Sequence, residues 1–100
     1  MKTLIPKTFT IGALDFTVKH GDFVSEGNLG HMKSLESEIV VKTMYDNVKV
    51  GKQQQELTFF HELAHVYMSV MNEHELNANE QFIDILGQFM YQYSKTVKYK

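Results

Sequence analysis

Thr58-Phe59-Phe60-His61-Glu62-Leu63-Ala64-His65-Val66-Tyr67-Met68 places His61-Glu62-x-x-His65 inside an apolar run. On an α-helix, residues four apart lie on one face. His61 and His65 can therefore aim two imidazoles at one point, which is what a tetrahedral metal ion asks of two of its ligands. Glu62 stands about 100° further round the helix, beside such a metal and not on it. From there its carboxylate can take a proton from water activated by the metal. The blander alternative is a pair of core histidines that happen to share a face. The surrounding Phe59, Phe60, Leu63, Ala64, Val66 and Met68 make the segment a packed helix on either reading.

The helix predicted around this stretch runs from about Lys52 to Met71. Leu57, Phe60, Ala64 and Met68 trace its main stripe, and Leu63, Val66, Tyr67, Val70 and Met71 widen it. Its start, Gln53-Gln54-Gln55-Glu56, is polar, and Asn72-Glu73-His74-Glu75 breaks the pattern. A second helix is predicted from about Asn77 to Lys95, with Phe82, Ile83, Ile85, Leu86, Phe89, Met90 and Tyr93 at helical spacing. It should bury a wide apolar face against the first helix and the sheet.

Ahead of both helices the period is two. Phe9-Thr10-Ile11 and Leu14-Asp15-Phe16-Thr17-Val18 alternate as half-buried strands, with Gly12-Ala13 as a hairpin turn. Lys19 to Asp22 reads as a turn with His20 at the surface, and residues 21–30 as loop. Leu29 to Leu35 is a candidate edge strand, and Ser37 to Thr43 a stronger, β-branched one that can pair with it as a second hairpin. Asp46-Asn47 and Gly51 bracket a short piece without a clear period. The expected fold is α+β and zincin-like: one domain over 1–100, a small antiparallel sheet packed on two long helices, with the metal between the helices.

Composition narrows the function classes. One hundred residues, 43% of them hydrophobic, make a single small core, to which a bound metal would add stability. A net charge of −2 without a basic stripe argues against nucleic acid as partner. The chain has no cysteine, hence no disulfide, thiolate zinc site or thiol nucleophile. The opening Met1 to Pro6 turns polar too soon for a signal peptide, and no apolar run approaches a membrane span. A cytoplasmic location follows as the expectation.

Two histidines need a third protein ligand. A histidine six residues after His65 would be the metzincin arrangement, but that position holds Met71. Glu73, His74, Glu75, Glu80 and Asp84 remain. Glu80 is preferred, because it sits on the second helix with Asp84 one turn later on the same face. Glu80 can then bind the metal while Asp84 accepts the outer N–H of a ligand histidine. The competing reading of Glu80 is a capping box with Asn77 as N-cap.

His61-Glu62-x-x-His65 followed by Asn79-Glu80-x-x-x-Asp84 resembles the gluzincin pattern of thermolysin-like proteases. The short gap from His65 to Glu80 is similar to the compact relatives: ImmA/IrrE-type metallopeptidases, SprT-like proteins and the minigluzincins. The layout over about residues 8–97 looks like small metallopeptidases often encoded by bacteriophages and prophages. The resemblance implies a zinc metallopeptidase in which His61, His65 and Glu80 bind Zn2+, Glu62 is the general base, Asp84 supports a ligand histidine, and a peptide or protein is the substrate. Larger gluzincins add a Tyr or His that stabilises the oxyanion. Tyr91 and His31 are the residues to consider here, and packing accounts better for both. ImmA/IrrE-type proteins often carry a DNA-binding domain, which nothing in this chain matches. Two other functions use the same ligands: a zinc-stapled protein-binding module, favoured if His74 fills the fourth metal position, and a latent protease with Met1–Lys7 or Val97–Lys100 lying in the cleft.

Overall fold

A computed structural model describes residues 3–21, 29–33, 36–45 and 48–99. The strands are β1 (Thr8–Ile11), β2 (Leu14–Gly21), β3 (Gly30–Lys33), β4 (Glu38–Lys42), β5 (Met44–Tyr45) and β6 (Val48–Lys49). The helices are α1 (Lys52–Val70), α2 (His74–Ala78) and α3 (Glu80–Thr96). The fold is α+β. Of the loop expected over 21–30, residues 22–28 lie outside the described residues, as do Ser34, Leu35, Asp46 and Asn47.

Gly12 and Ala13 both adopt positive φ, +62° and +64°, which makes the two-residue turn whose twist matches that of its strands. β1 and β2 pair from it antiparallel, Ile11 opposite Leu14. β3 and β4 form the second expected hairpin, with His31 opposite Val40. The two hairpins join differently from the expectation of an antiparallel sheet. β4 pairs with β2 in parallel, Val18 opposite Ile39, and the order is β1-β2-β4-β3. The sheet is mixed, and β4 is an inner strand. Ile39, Val40 and Val41 are buried one after another, as a strand covered on both faces requires. β2 also continues through Lys19 and His20 to Gly21, where a turn was expected. The piece between Asp46 and Gly51 contributes β6, which pairs with β5 in a separate two-stranded sheet.

α1 lies between the sheet and α3, so it buries more than one stripe. Phe59 and Val66 meet the sheet-side core with Phe16, Val18 and Ile39. Ala64 and Met68 meet Ile83 of α3. α3 packs chiefly on α1, not on helix and sheet equally. Part of the wide apolar face expected to be buried stays open: Ile85 is 43% exposed, Phe89 62% and Tyr93 62%. Among the described residues no helix is long and apolar enough to cross a membrane.

α3 also begins later than expected. α1 ends at Val70, and Asn72 takes the left-handed conformation (φ +58°) that stops a helix. α2 then forms a single turn, and the N-cap of α3 is Asn79, whose Oδ1 accepts the Phe82 N–H at 3.1 Å. Glu80 is therefore the first helical residue, and the Asn77–Glu80 capping box does not form.

The far end of α3 is anchored through a buried carboxylate. Glu56, 4% exposed, accepts from Leu4 N at 2.9 Å, Thr3 Oγ1 at 3.3 Å and Tyr91 Oη at 3.0 Å. Tyr91, considered above as an oxyanion stabiliser, is committed to this contact. Burial alone would push the Glu56 carboxyl up. The Leu4 amide, the Tyr91 hydroxyl, the Lys52 ammonium and the Thr3 hydroxyl outweigh it, and the pKa falls below 4.5. A folded pKa below the unfolded one means stabilisation that is complete above about pH 4.5 and lost as pH falls through the folded value. Glu56→Ala leaves the buried Tyr91 hydroxyl without its acceptor, at roughly 1–3 kcal/mol, and the part-buried Leu4 amide loses its partner as well. We expect a large drop in the urea midpoint at pH 7 and a smaller one as the pH is lowered through the folded value, where the wild type itself loses the charge.

Candidate metal centre

α1 presents His61 and His65 one turn apart, with rings in an edge-on arrangement and centroids 5.2 Å apart. α3 brings Glu80 across to them. Glu80 Oε2 lies 3.4 Å from His61 Nε2, and Oε1 lies 3.5 Å from His65 Nε2. One donor atom from each of the three residues falls within 4.8 Å of the others. Ligand atoms about 2.0–2.1 Å from a tetrahedral zinc stand roughly 3.3–3.4 Å apart, so these separations suit a small divalent cation. The donor set, two imidazoles and a carboxylate, also suits zinc or a neighbouring transition metal.

Both Nε2 atoms face Glu80, which leaves each Nδ1 for an outer partner. His65 Nδ1 lies 2.6 Å from Asn77 Oδ1. With Asn77 accepting, the proton sits on Nδ1 and the Nε2 lone pair is directed at the site. The sequence offered Asn77 only as the N-cap of the competing capping-box reading. Its true position follows from α2, the turn that interrupts the two long helices and swings Asn77 over His65. The candidate for this supporting role was Asp84. It lies beside the other histidine, with Oδ1 3.6 Å from His61 Nδ1, too long for a hydrogen bond. Its Oδ2 instead accepts from Gln88 Nε2 at 3.1 Å.

Glu62 is buried, at 8% exposure, next to the histidines and behind β3. Burial pushes its carboxyl above 4.5. Positive charge on His61, His65 and His31 works against the rise, and the Glu80 charge adds to it. His31, the other residue considered for oxyanion contact, is exposed on β3 yet near enough to be felt electrostatically at Glu62.

The site opens to solvent more than a buried helix pair would suggest. The side chains of His61 and His65 are 27% and 18% exposed, Glu80 is 69% exposed and Asp84 58%. A cleft of about 200 Å³ runs from His61, Glu62 and Asp84 to Leu29 and Gly30 at the start of β3, with Leu57 and Thr58 along its side. Gly30 lets β3 come this close: a Cβ there would stand 2.5 Å from Thr58 Cγ2 and 3.4 Å from Glu62 Cγ. Among the described residues His74 does not join the ligand group, and neither 3–7 nor 97–99 lines the cleft; Met1, Lys2 and Lys100 of the two terminal segments lie outside the described residues. No family model, curated protein or solved structure was found to match this chain.

Proposed function

We propose that this chain is a compact, gluzincin-type zinc metallopeptidase. The observation that carries the reading is Glu80 of α3, which reaches both His61 and His65 of α1 at 3.4 and 3.5 Å. Carboxylates near histidines are common, but one on a separate helix that meets two Nε2 atoms at the spacing of a shared cation is a specific arrangement. When bound, zinc would polarise a carbonyl and bring the pKa of water toward neutrality.

The chain's own residues supply the remainder. His61, His65 and Glu80 hold the ion, and Asn77 orients His65. Glu62 receives the proton of the attacking water and returns it to the departing amine. Among the described residues β3 is an edge strand that pairs with β4 alone. Leu29 and Gly30 at its start line the cleft together with Glu62, and an extended peptide backbone that added to the strand would enter the cleft from there.

A zinc-stabilised binding module would use the same ligands without turnover. The cleft beside Glu62 and the absence of His74 from the ligand group favour the hydrolase. The test is a zinc titration of chelator-stripped protein, followed by incubation of the loaded form with a peptide library. The expected result is one zinc per chain and cleavage that a chelator abolishes. A zinc-loaded chain that cuts no peptide leaves the binding module as the reading. No zinc affinity at micromolar concentrations sinks both.

A further inference from the structure

α3 meets α1 at a glycine. A Cβ on Gly87 would stand 2.9 Å from His61 Cα, 3.0 Å from His61 N and 3.1 Å from Phe60 O. All three are backbone atoms, so no change of rotamer relieves the contact. Glycine inside a helix is unfavourable relative to alanine, and this close approach gives it a reason to be there. Gly87 also lies seven residues after Glu80, two turns on and on the same face. The buried line of α3, Ile83, Gly87 and Tyr91, thus leads directly to the proposed ligand.

We propose that Gly87 is a positioning residue for the metal centre: it sets the distance between α1 and α3 at which Glu80 reaches His61 and His65. The inference rests on the metal reading above. α3 is held on one side of Gly87 by Tyr91, which donates to Glu56 at 3.0 Å. A side chain at 87 acts as a wedge between that anchor and Ile83, and pushing α3 off the His61 backbone shifts the helix that carries Glu80. Contacts of 2.9–3.1 Å must open by a few tenths of an ångström to become ordinary. Metal–ligand distances tolerate only about ±0.2 Å, so the opening is felt at the site.

The experiment compares Gly87→Ala with the wild type by zinc competition against a chromophoric chelator and by the visible absorption of the Co2+-substituted protein. Val66→Ala is the comparator: Val66 is fully buried with the sheet-side core, so its truncation destabilises the fold without wedging the helices. The expected result is a loss of about 10-fold or more in zinc affinity for Gly87→Ala, the size of an outer-contact effect. The Co2+ bands should also weaken and shift, while Val66→Ala keeps wild-type affinity and spectrum. Ala64→Val, a second wedge between α1 and α3 beside Ile83, should act in the same direction and serves if Gly87→Ala does not fold. Wild-type affinity and an unchanged Co2+ spectrum in whichever wedge variant folds overturn the inference. A wild type without metal affinity removes the metal reading first, and this inference with it.

Discussion

Glu62→Gln is expected to leave zinc affinity unchanged and to lower kcat/KM for peptide cleavage by about 10²–10⁴-fold, the usual contribution of a general base. The substitution keeps the shape of a side chain that is only 8% exposed and removes its ability to take a proton. Glu62 is outside the group formed by His61, His65 and Glu80, so the ion should be held as before. The apo protein should be at least as stable as the wild type at pH 7. Burial raises the folded pKa of Glu62, and a carboxyl with a raised folded pKa opposes folding once pH exceeds its unfolded value. A neutral amide escapes that penalty. The measurements are zinc titration, urea unfolding of the apo form, and hydrolysis at matched zinc occupancy. Activity within tenfold of wild type would place the base elsewhere, and a parallel fall in zinc affinity would make Glu62 a ligand.

Glu80→Ala is expected to cost zinc affinity more than any outer contact does, well beyond the roughly 10–100-fold attached to such partners. Asn77→Ala supplies the comparison inside that range, because it removes only the acceptor 2.6 Å from His65 Nδ1. Glu80 is the first residue of α3 and mostly exposed, so its truncation should barely move apo stability beyond the loss of a favourable charge at a helix N-terminus. The two effects separate cleanly: metal affinity collapses while the apo unfolding midpoint stays close to wild type. If Glu80→Ala binds zinc as tightly as Asn77→Ala, the carboxylate is not a ligand and the proposed centre is wrong.

The candidate site was legible where its members are close in the chain. His61, Glu62 and His65 are related by helix geometry alone, and a 3.6-residue period is written in any apolar pattern. Glu80 could be preferred among five remaining candidates, because a metal site needs a third ligand and Glu80 shares a helix face with Asp84. Asn77 was not. Its side chain suits a cap as well as it suits a histidine, and the choice depended on α2, a five-residue helix too short for periodicity to announce. Asp84 was expected to support one of the two histidines without the sequence saying which; it stands beside His61, 3.6 Å from Nδ1, a difference of a few tenths of an ångström from a hydrogen bond that no spacing rule resolves. Gly87 carried a usable signal, since an isolated glycine inside an apolar helical pattern asks for a packing reason. Glu56 carried none: an acidic residue among glutamines near a helix start reads as solvent-exposed, and only the approach of Leu4 and Tyr91 makes it a buried acceptor.

Residue order alone was enough for the local conformations: two hairpins from alternating strands, the Gly12–Ala13 turn, α1, most of α3, and a histidine pair on one helical face. Each depends on neighbours within a few residues, where sterics and side-chain period decide. Tertiary structure decided which strands lie side by side, making the sheet mixed by seating β4 between β2 and β3. It also decided that Asn77 turns to His65, that Glu56 is buried, and that α3 rests on the His61 backbone at Gly87. Those outcomes depend on contacts between residues far apart in the chain. Each is settled by how volumes and hydrogen-bonding groups fit once the layers close, and no local pattern encodes that fit.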